Sequence, residues 1–419
     1  MSGNQALENE LLPNLFRLEY SKMTAVLCRH FGLKHIEIAE DIASETFLKA
    51  SEEWAINGIP ENPIAWLYTV AKNKTKDYFK HLTIFEDQIK SEITTHAIQP
   101  ELDWDFPQQT IADSQLAMIF AVCNPANSAE AQICLALQIL CGFSIEEIAN
   151  AFLTKTETIK KRLLRARTNL RNDKFQIRAL SKTEIKSRLD TVLKTLYLLF
   201  NEGYFSKNNN QLIRKGLCFQ AARLALTLTE NPLTNTSQIN ALIALMCYQS
   251  SRLDARIDDK GETILFEEQD RQLWDKELID KGNYYLVNAC NEYESSKYHL
   301  EAGIAYWHTT STDENKWQHI LRLYNQLILI EYSPITALNR TFAFAKVYGY
   351  ENAIPEAEKL NLTKNNFYHE LLGYLYTDTN IGKAIDHYEK AIQLTKSKTE
   401  KQTLTKKIEK LNEKKISNT

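Results

Sequence analysis

Apolar residues recur at intervals of three and four along most of the chain, and the alternation typical of strands is scarce. Only 12 glycines and 9 prolines punctuate the 419 residues. The spacing therefore predicts an all-α fold. At about 100 to 200 residues per domain, a chain of this length is expected to form roughly two to four domains.

Interruptions of this helical pattern divide the chain into four parts. A first helical module covers 11–81 and is broken by the loop from Asn57 to Pro63, where two prolines stop a helix. The stretch 82–112 is polar and acidic, and we interpret it as a linker. A second, short module covers 113–172, and amphipathic helices continue over 173–419, which favours a domain of helical repeats.

The end of this last part has the pattern of a two-helix repeat of about 34 residues. Its small and aromatic positions are Gly373, Tyr376, Ala384, Tyr388 and Ala391. They predict a tetratricopeptide-like unit at about 365–395, and a looser unit is expected around 317–343. Small residues that merely let two helices pack closely are the alternative interpretation.

Composition and charge narrow the possible functions. The chain has 44% hydrophobic and 25% charged residues and a net charge of −3, so binding to nucleic acid would need a locally basic element. With no secretory signal and no apolar run near ~20 residues, we expect a cytoplasmic protein without membrane contact. The seven cysteines form no C-x-x-C pair, so buried thiols and neither a metal nor a cofactor are expected.

A locally basic element follows Phe143. Ser144 and Glu147 have the spacing of a capping box at the start of one helix. After a short turn, a second helix begins with small polar residues and is expected to expose Lys160, Lys161, Arg162, Arg165 and Arg167. This arrangement predicts a helix-turn-helix whose second helix lies in a DNA groove, with arginines on phosphates. A solvated cationic helix in a helical hairpin is the alternative.

These two helices resemble region 4 of sigma factors of the extracytoplasmic-function type, which reads the upstream promoter element. The resemblance implies a set of contacts to the DNA groove and backbone. They are Thr156, Thr158, Lys160, Lys161 and Arg162, with Arg165 among the arginines on phosphates.

The segment from Ile38 to Ala50 resembles the polymerase-docking helix of sigma region 2. Asp41 and Glu45 are four residues apart and project together from a helix, and Phe47 is expected to add an apolar contact. The resemblance implies docking on the clamp helices of the largest subunit of core RNA polymerase. A solvated acidic face supported by Glu45 and Lys49 is the alternative.

The segment from Pro63 to Tyr78 resembles the helix that holds the downstream promoter element. Phosphate contacts are expected from Lys72, Asn73, Lys74 and Lys76. The preceding loop, Ala55 to Asn62, corresponds to the loop that captures a flipped base. Tyr68 could stack on a base, whereas Trp66 shares an apolar helix face with Leu67 and Val70 and is expected in the core.

Three later segments, 196–204, 252–274 and 333–340, resemble one subgroup of these sigma factors that carries a C-terminal tetratricopeptide-like extension. The match then covers nearly the whole chain apart from the linker. It implies that the extension governs activity. It also implies a possible partner, a small regulatory protein of the YCII-related type.

Two other classes of function compete with a sigma factor that directs promoter-specific initiation. An enzyme would have to use groups such as His299, Glu301 and His308, but no nucleophile elbow, phosphate loop or paired-histidine metal motif occurs, so no catalysis is expected. A helix-turn-helix regulator with a helical sensor domain, not bound to polymerase, would share the second module. Such a regulator has no need of the acidic face at Asp41 and Glu45, so the first module distinguishes the two.

Overall fold

The computed structural model describes residues 2–90, 106–152, 154–205, 211–256, 264, 266–290, 295–310, 313–395 and 398–417. Within these ranges the chain forms helices joined by turns and loops, with no strand, which confirms the all-α prediction. The chain divides into two compact units, Met1–Leu199 and Phe200–Thr419. Leu153, Asp258, Gly261 and the middle of the expected linker lie outside the described residues.

The N-terminal unit begins with three helices: α1 (Ser2–Phe31), α2 (Ile36–Asn57) and α3 (Pro63–Lys90). Gly32 and Gly58 follow α1 and α2 with φ of 75° and 80°, a left-handed conformation that favours glycine at a helix end. Pro63 is the first residue of α3, and the Oδ1 of Asn62 accepts the backbone N–H of Ala65. Helix α3 extends to Lys90, into the stretch interpreted as a linker.

The second half of this unit contains α4 (Gln108–Val122), α5 (Ala129–Leu135) with a π-helical turn (Ala136–Leu140), α6 (Ile145–Ala151), α7 (Thr156–Asn172) and α8 (Lys182–Phe205). Helix α4 packs against α1, and every residue from Ser114 to Val122 is buried. It starts inside the expected linker and forms the apolar centre of the unit.

The first part of α8 belongs to the same unit. Val192, Leu193 and Leu196, predicted as an apolar stripe, are fully buried. The hydroxyl of Thr195 donates to the Oε1 of Gln132 at 2.7 Å. The unit therefore continues past the expected boundary at 172 and ends at Leu199.

The C-terminal unit continues with ten α-helices in the described ranges, most of them packed on their neighbours in the chain, while α12 also packs extensively on α10. They are α9 (Gln211–Thr229), α10 (Ser237–Ser250), α11 (Lys276–Ala289), α12 (Lys297–Thr309), α13 (Lys316–Ile330), α14 (Pro334–Tyr348), α15 (Tyr350–Lys359), α16 (Asn366–Tyr376), α17 (Ile381–Leu394) and α18 (Lys398–Ser417). Packing between sequence neighbours is typical of repeat architectures.

Helices α16 and α17 form the hairpin expected at 365–395. Ala384, Tyr388 and Ala391 are buried, and the ring of Tyr388 lies directly over Gly373. Helices α13 and α14 pair in the looser region, with Pro334 as the first residue of α14. The small residues therefore sit where two helices approach closely, as the pattern predicts.

Cysteine chemistry and metal binding add no site among the described residues. Five of the seven cysteines are buried, as expected, whereas Cys247 is partly exposed and Cys290 is exposed, so the expectation was wrong for these two. In the described ranges no group of three or more His, Cys, Asp or Glu residues could hold a metal ion. None of the described helices combines the length and the apolar character needed to cross a membrane.

Candidate polymerase and nucleic-acid interfaces

Helix α6 begins with the predicted capping box, and α7 buries the predicted apolar side. The Oγ of Ser144 accepts the backbone N–H of Glu147 at 3.2 Å, and the Oε2 of Glu147 accepts the N–H of Ser144 at 2.8 Å. This reciprocal pair forms the capping box of α6. Helix α7 then buries one apolar side, made of Ile159, Leu163, Ala166 and Leu170.

One flank of α7 borders a cleft of about 650 Å³. The opposite wall is the loop around Asn127 together with Ala131 of α5. The cations that line the cleft are Lys155, Lys161, Arg162 and Arg165, against one acidic residue of the lining, Glu157. The Nδ2 of Asn127 is buried without a hydrogen-bond partner. A cleft that is lined mainly by cations and holds an unpartnered N–H donor suits the anionic backbone of a nucleic acid.

The expected DNA contacts on α7 divide between this cleft and other surfaces. Thr158, Lys161, Arg162 and Arg165 line it. Lys160 lies outside it, and its Nζ is 3.1 Å from the Oε1 of Glu157.

The remaining members of this set differ in exposure. Thr156 is the first residue of α7 and is partly buried. Arg162 is also partly buried, with an Nη1 that donates to the Sγ of Cys134 at 3.8 Å. Sequence reasoning missed Lys155, Asn127 and Asn169 in the cleft lining. Of these three, Lys155 could have been found from the sequence, because it is a basic residue directly before the helix.

The opposite flank of α7 faces the first module. Arg167 donates through both terminal nitrogens to the carboxylate of Glu40, at 2.8 and 2.7 Å, and Arg171 donates to Glu37 at 2.8 Å. Burial disfavours the charge of Arg167, but the hydrogen bond and charge of Glu40 outweigh it and raise the pKa of Arg167. The expectation that Arg167 is exposed was therefore wrong, because its side chain is only 16% exposed.

The acidic face of α2 lies beside this ion-paired flank. Asp41 and Glu45 are both exposed, as predicted for residues four apart. The Oε2 of Glu45 accepts a hydrogen bond from the Nζ of Lys74 at 2.7 Å. This contact joins an expected polymerase residue to an expected DNA residue, so Asp41 is the less engaged acid of the two.

Phe47 lies beneath this face. Its side chain is 5% exposed and packs edge to face on Phe16, with ring centroids 5.2 Å apart. Leu48, at 60% exposure, is the large apolar residue that reaches solvent here. In this structure Phe47 supports α2 from inside, and Leu48 offers the apolar surface.

The residues of α3 that are expected to contact phosphates differ in their exposure to solvent. Asn73 and Lys76 are exposed, whereas Lys72 and Lys74 are partly buried. Tyr68 is buried, and its hydroxyl donates to the Oε2 of Glu19 at 3.1 Å, so the suggestion that it stacks on a base was wrong for this conformation.

The last turn of α2, which includes the first residues of the expected loop, exposes an apolar side chain. Ile56, within the segment Ala55 to Asn62, is 83% exposed. Trp66 is partly buried and packs on Trp54 at 5.4 Å between ring centroids, in line with its expected place in the core.

Comparison with known proteins identifies part of the chain. Residues 188–290 match a family of unknown function, DUF6596. An uncharacterized protein of Rhizobium meliloti (strain 1021) is 29% identical over 385 residues, which cover 89% of this chain and 89% of the relative. No solved structure matches the chain significantly. Residues 15–83 match Sigma-70 region 2, and this match supports a factor of the sigma-70 family.

Proposed function

We propose that the protein is a sigma factor of the extracytoplasmic-function type that binds core RNA polymerase and directs promoter-specific transcription initiation in the cytoplasm. The observation that carries this proposal is the match of residues 15–83 to Sigma-70 region 2. The cationic cleft of α7, in the same compact unit, supports it. The role is that of a non-enzymatic initiation factor.

Polymerase docking is proposed for the exposed face of α2. Asp41 and Glu45 supply negative charge, and Leu48 supplies exposed apolar area. Phe47 holds the helix in place from inside. Charge on such a surface steers association and fixes the register of the complex. The proposed partner surface is the clamp region of the largest polymerase subunit.

Promoter DNA is the proposed partner of two further surfaces. The cleft beside α7 would hold the backbone of the upstream element through Lys161, Arg162 and Arg165, with Thr158 near base edges. On α3, Asn73 and Lys76 are exposed and would contact the backbone of the downstream element.

The alternative function, a helix-turn-helix regulator that does not bind polymerase, is disfavoured by the match to Sigma-70 region 2. A DNA-binding regulator would need the cleft of α7 alone. It would not need the exposed acids of α2.

The C-terminal unit is proposed to govern activity as a tetratricopeptide-like extension. Its successive helices pack on their neighbours, and the α16–α17 hairpin has the close helix approach at Gly373 that such repeats use. The subgroup resemblance adds a small protein of the YCII-related type as a proposed regulatory partner.

A lysine and an arginine one turn apart on α7, Lys161 and Arg165, test the DNA-binding part of the proposal. Lys161→Glu with Arg165→Glu should weaken binding of the reconstituted holoenzyme to a promoter fragment selected from genomic DNA. The slope of log affinity against log salt should also fall by about two units, one for each lost phosphate contact. Lys160→Glu is the matched control, because Lys160 lies outside the cleft.

In the control variant both affinity and salt slope should stay near the wild-type values. A double variant with the wild-type salt slope would remove the cleft as the DNA site. Equal losses in the control and the double variant would show a general charge effect instead.

A further inference from the structure

A partly buried arginine lies in the C-terminal unit, within the segment that matches the family of unknown function. The guanidinium carbon of Arg252 is 4.8 Å from the ring centroid of Phe266 and 5.8 Å from that of Trp274. One terminal nitrogen donates to the hydroxyl of Tyr204 at 2.9 Å. The Nε is buried and has no hydrogen-bond partner.

No acidic side chain of the described residues lies within ion-pair distance of Arg252. The charged side chain that acts on Arg252 is a second cation, Arg256. Its guanidinium lies over the ring of Tyr204 at 3.9 Å and donates to the Tyr204 carbonyl. Burial lowers the pKa of Arg252; Tyr204 partly opposes this effect, and Arg256 adds to it. A buried charge without a counter-charge destabilises a fold strongly, so such charges are normally paired or bind a ligand.

Three more buried polar atoms in this part of the unit have no partner: the Nε1 of Trp274, the Nδ1 of His308 and the Oε1 of Gln269. Phe266 links two of these residues, with its ring centroid 5.7 Å from that of Trp274 and 4.8 Å from that of His308. Buried polar atoms in folded proteins are nearly always hydrogen-bonded. Four unpartnered atoms in one region point to a missing partner molecule rather than to chance.

The protonation state of His308 limits the charge that a ligand of this region would carry. Burial lowers its pKa to about 3, with further contributions from Arg252 and Lys316, so the imidazole is neutral near pH 7. The guanidinium of Arg252 is therefore the only charge among these four residues, and a ligand would have to balance it. The donors are the N–H groups of Arg252 and Trp274, and Gln269 offers an acceptor.

We propose that Arg252, Trp274 and His308 bind the carboxylate of a small organic acid, with Gln269 beside them as an acceptor. The planar guanidinium matches a carboxylate and balances its single charge. The rings of Phe266 and Trp274 would contact the apolar part of the acid. A hydroxyl or amino group beside the carboxylate would donate to the Oε1 of Gln269. The site goes beyond the proposed transcription function and does not depend on it.

Acetate is the most direct probe, because it carries the carboxylate alone and any site of this class should accept it. Full-length protein is titrated with sodium acetate at constant ionic strength, balanced with sodium chloride, and the thermal midpoint is measured. A saturable rise is expected, of about 2–4 °C at ten times the dissociation constant. A midpoint that depends on ionic strength alone would overturn the proposal.

Three variants assign the response to this site. Arg252→Met should abolish the acetate shift, and Trp274→Phe, which keeps an aromatic ring but removes the indole N–H and part of the ring surface, should weaken it. Arg340→Gln is the control, since Arg340 is hydrogen-bonded to Asn325 elsewhere in the unit, and it should respond like the wild type. An undiminished acetate response in Trp274→Phe and Arg252→Met would place the binding elsewhere and overturn the assignment.

Stability without any carboxylate gives an independent test. Because Arg252→Met removes a partly buried charge that has no counter-charge among the described residues, its midpoint in chloride buffer should equal or exceed that of the wild type. A clearly lower midpoint would mean that the chain itself supplies the counter-charge, and the proposal would fail. A larger shift with inorganic phosphate than with acetate would replace the carboxylate by another anion.

Discussion

Gly373 shows how the absence of one side chain sets the spacing of two helices. A Cβ at this position would lie 2.8 Å from ring carbons of Tyr388, closer than packed atoms allow. In contrast, a Cβ on Gly216 in α9 would meet nothing within 4 Å. The two glycines therefore predict opposite effects of the same substitution.

Gly373→Ala should lower the free energy of unfolding by about 1–3 kcal/mol, because the α16–α17 hairpin must open or Tyr388 must shift. Gly216→Ala should raise it by roughly 0.5–1 kcal/mol through helix propensity. Both are measured by chemical denaturation of the full chain, followed by circular dichroism. A neutral or stabilising Gly373→Ala would show that the close packing does not hold this hairpin together.

Which residues are exposed could be predicted from the sequence only where the reason is local. Asp41 and Glu45 are exposed as expected, because spacing by four on one helix is a local property. Tyr68 and Arg167 were placed wrongly, because their partners, Glu19 and Glu40, are 49 and 127 residues away along the chain. No local pattern distinguishes a surface arginine from one that pairs across modules.

At the scale of elements, α7 has two cationic flanks with different surroundings. One flank lines the cleft, and the other pairs Arg167 and Arg171 with the acids of α2. The same helix thus carries the proposed DNA surface and forms ion pairs with the first module of the N-terminal unit. The sequence shows these cations, but it does not show which of them line the cleft and which pair with the acids of α2.

The pairing across the modules should be measurable as a coupling energy. In a double-mutant cycle of Glu40→Gln and Arg167→Met, the two changes should be non-additive by about 1–3 kcal/mol in the free energy of unfolding, because the hydrogen bonds are bidentate and largely buried. The exposed pair Glu157 and Lys160 on the same helix is the control and should couple by less than about 0.5 kcal/mol. Additive effects at Glu40 and Arg167 would mean that the modules are not held by this contact.

Helix starts were easier to predict than helix extents. Pro63 and the Ser144 capping box mark the beginnings of α3 and α6 by local chemistry. The extension of α3 to Lys90 was missed, although Leu82, Phe85 and Ile89 recur there at helical spacing, because the acidic and polar residues that follow led us to interpret the whole stretch as a linker. The stripe on α8 predicted a helix, but its partner Gln132 in the second module could not be inferred from periodicity.

At the scale of the whole molecule, the division at Leu199 decides where the chain can be cut. A chain that ends at Phe205 keeps the buried Val192, Leu193 and Leu196, whereas one that ends at Asn172 loses them. We expect the chain that ends at Phe205 to remain folded and to bind core polymerase, and the chain that ends at Asn172 to aggregate. Promoter-specific transcription by the chain ending at Phe205 should fall relative to the full chain, and an unchanged rate would contradict a regulatory role for the C-terminal unit.

Run-off transcription with purified core RNA polymerase and genomic fragments tests the central claim most directly, with Asp41→Lys and Glu53→Lys as paired variants. Glu53 lies on the same helix, about 120° around it from Asp41, and is ion-paired with Lys49. The account predicts discrete transcripts with the wild type and with Glu53→Lys, and a loss of about tenfold or more with Asp41→Lys. Wild-type protein that adds no discrete start to core polymerase, or an Asp41→Lys variant as active as the wild type, would contradict it.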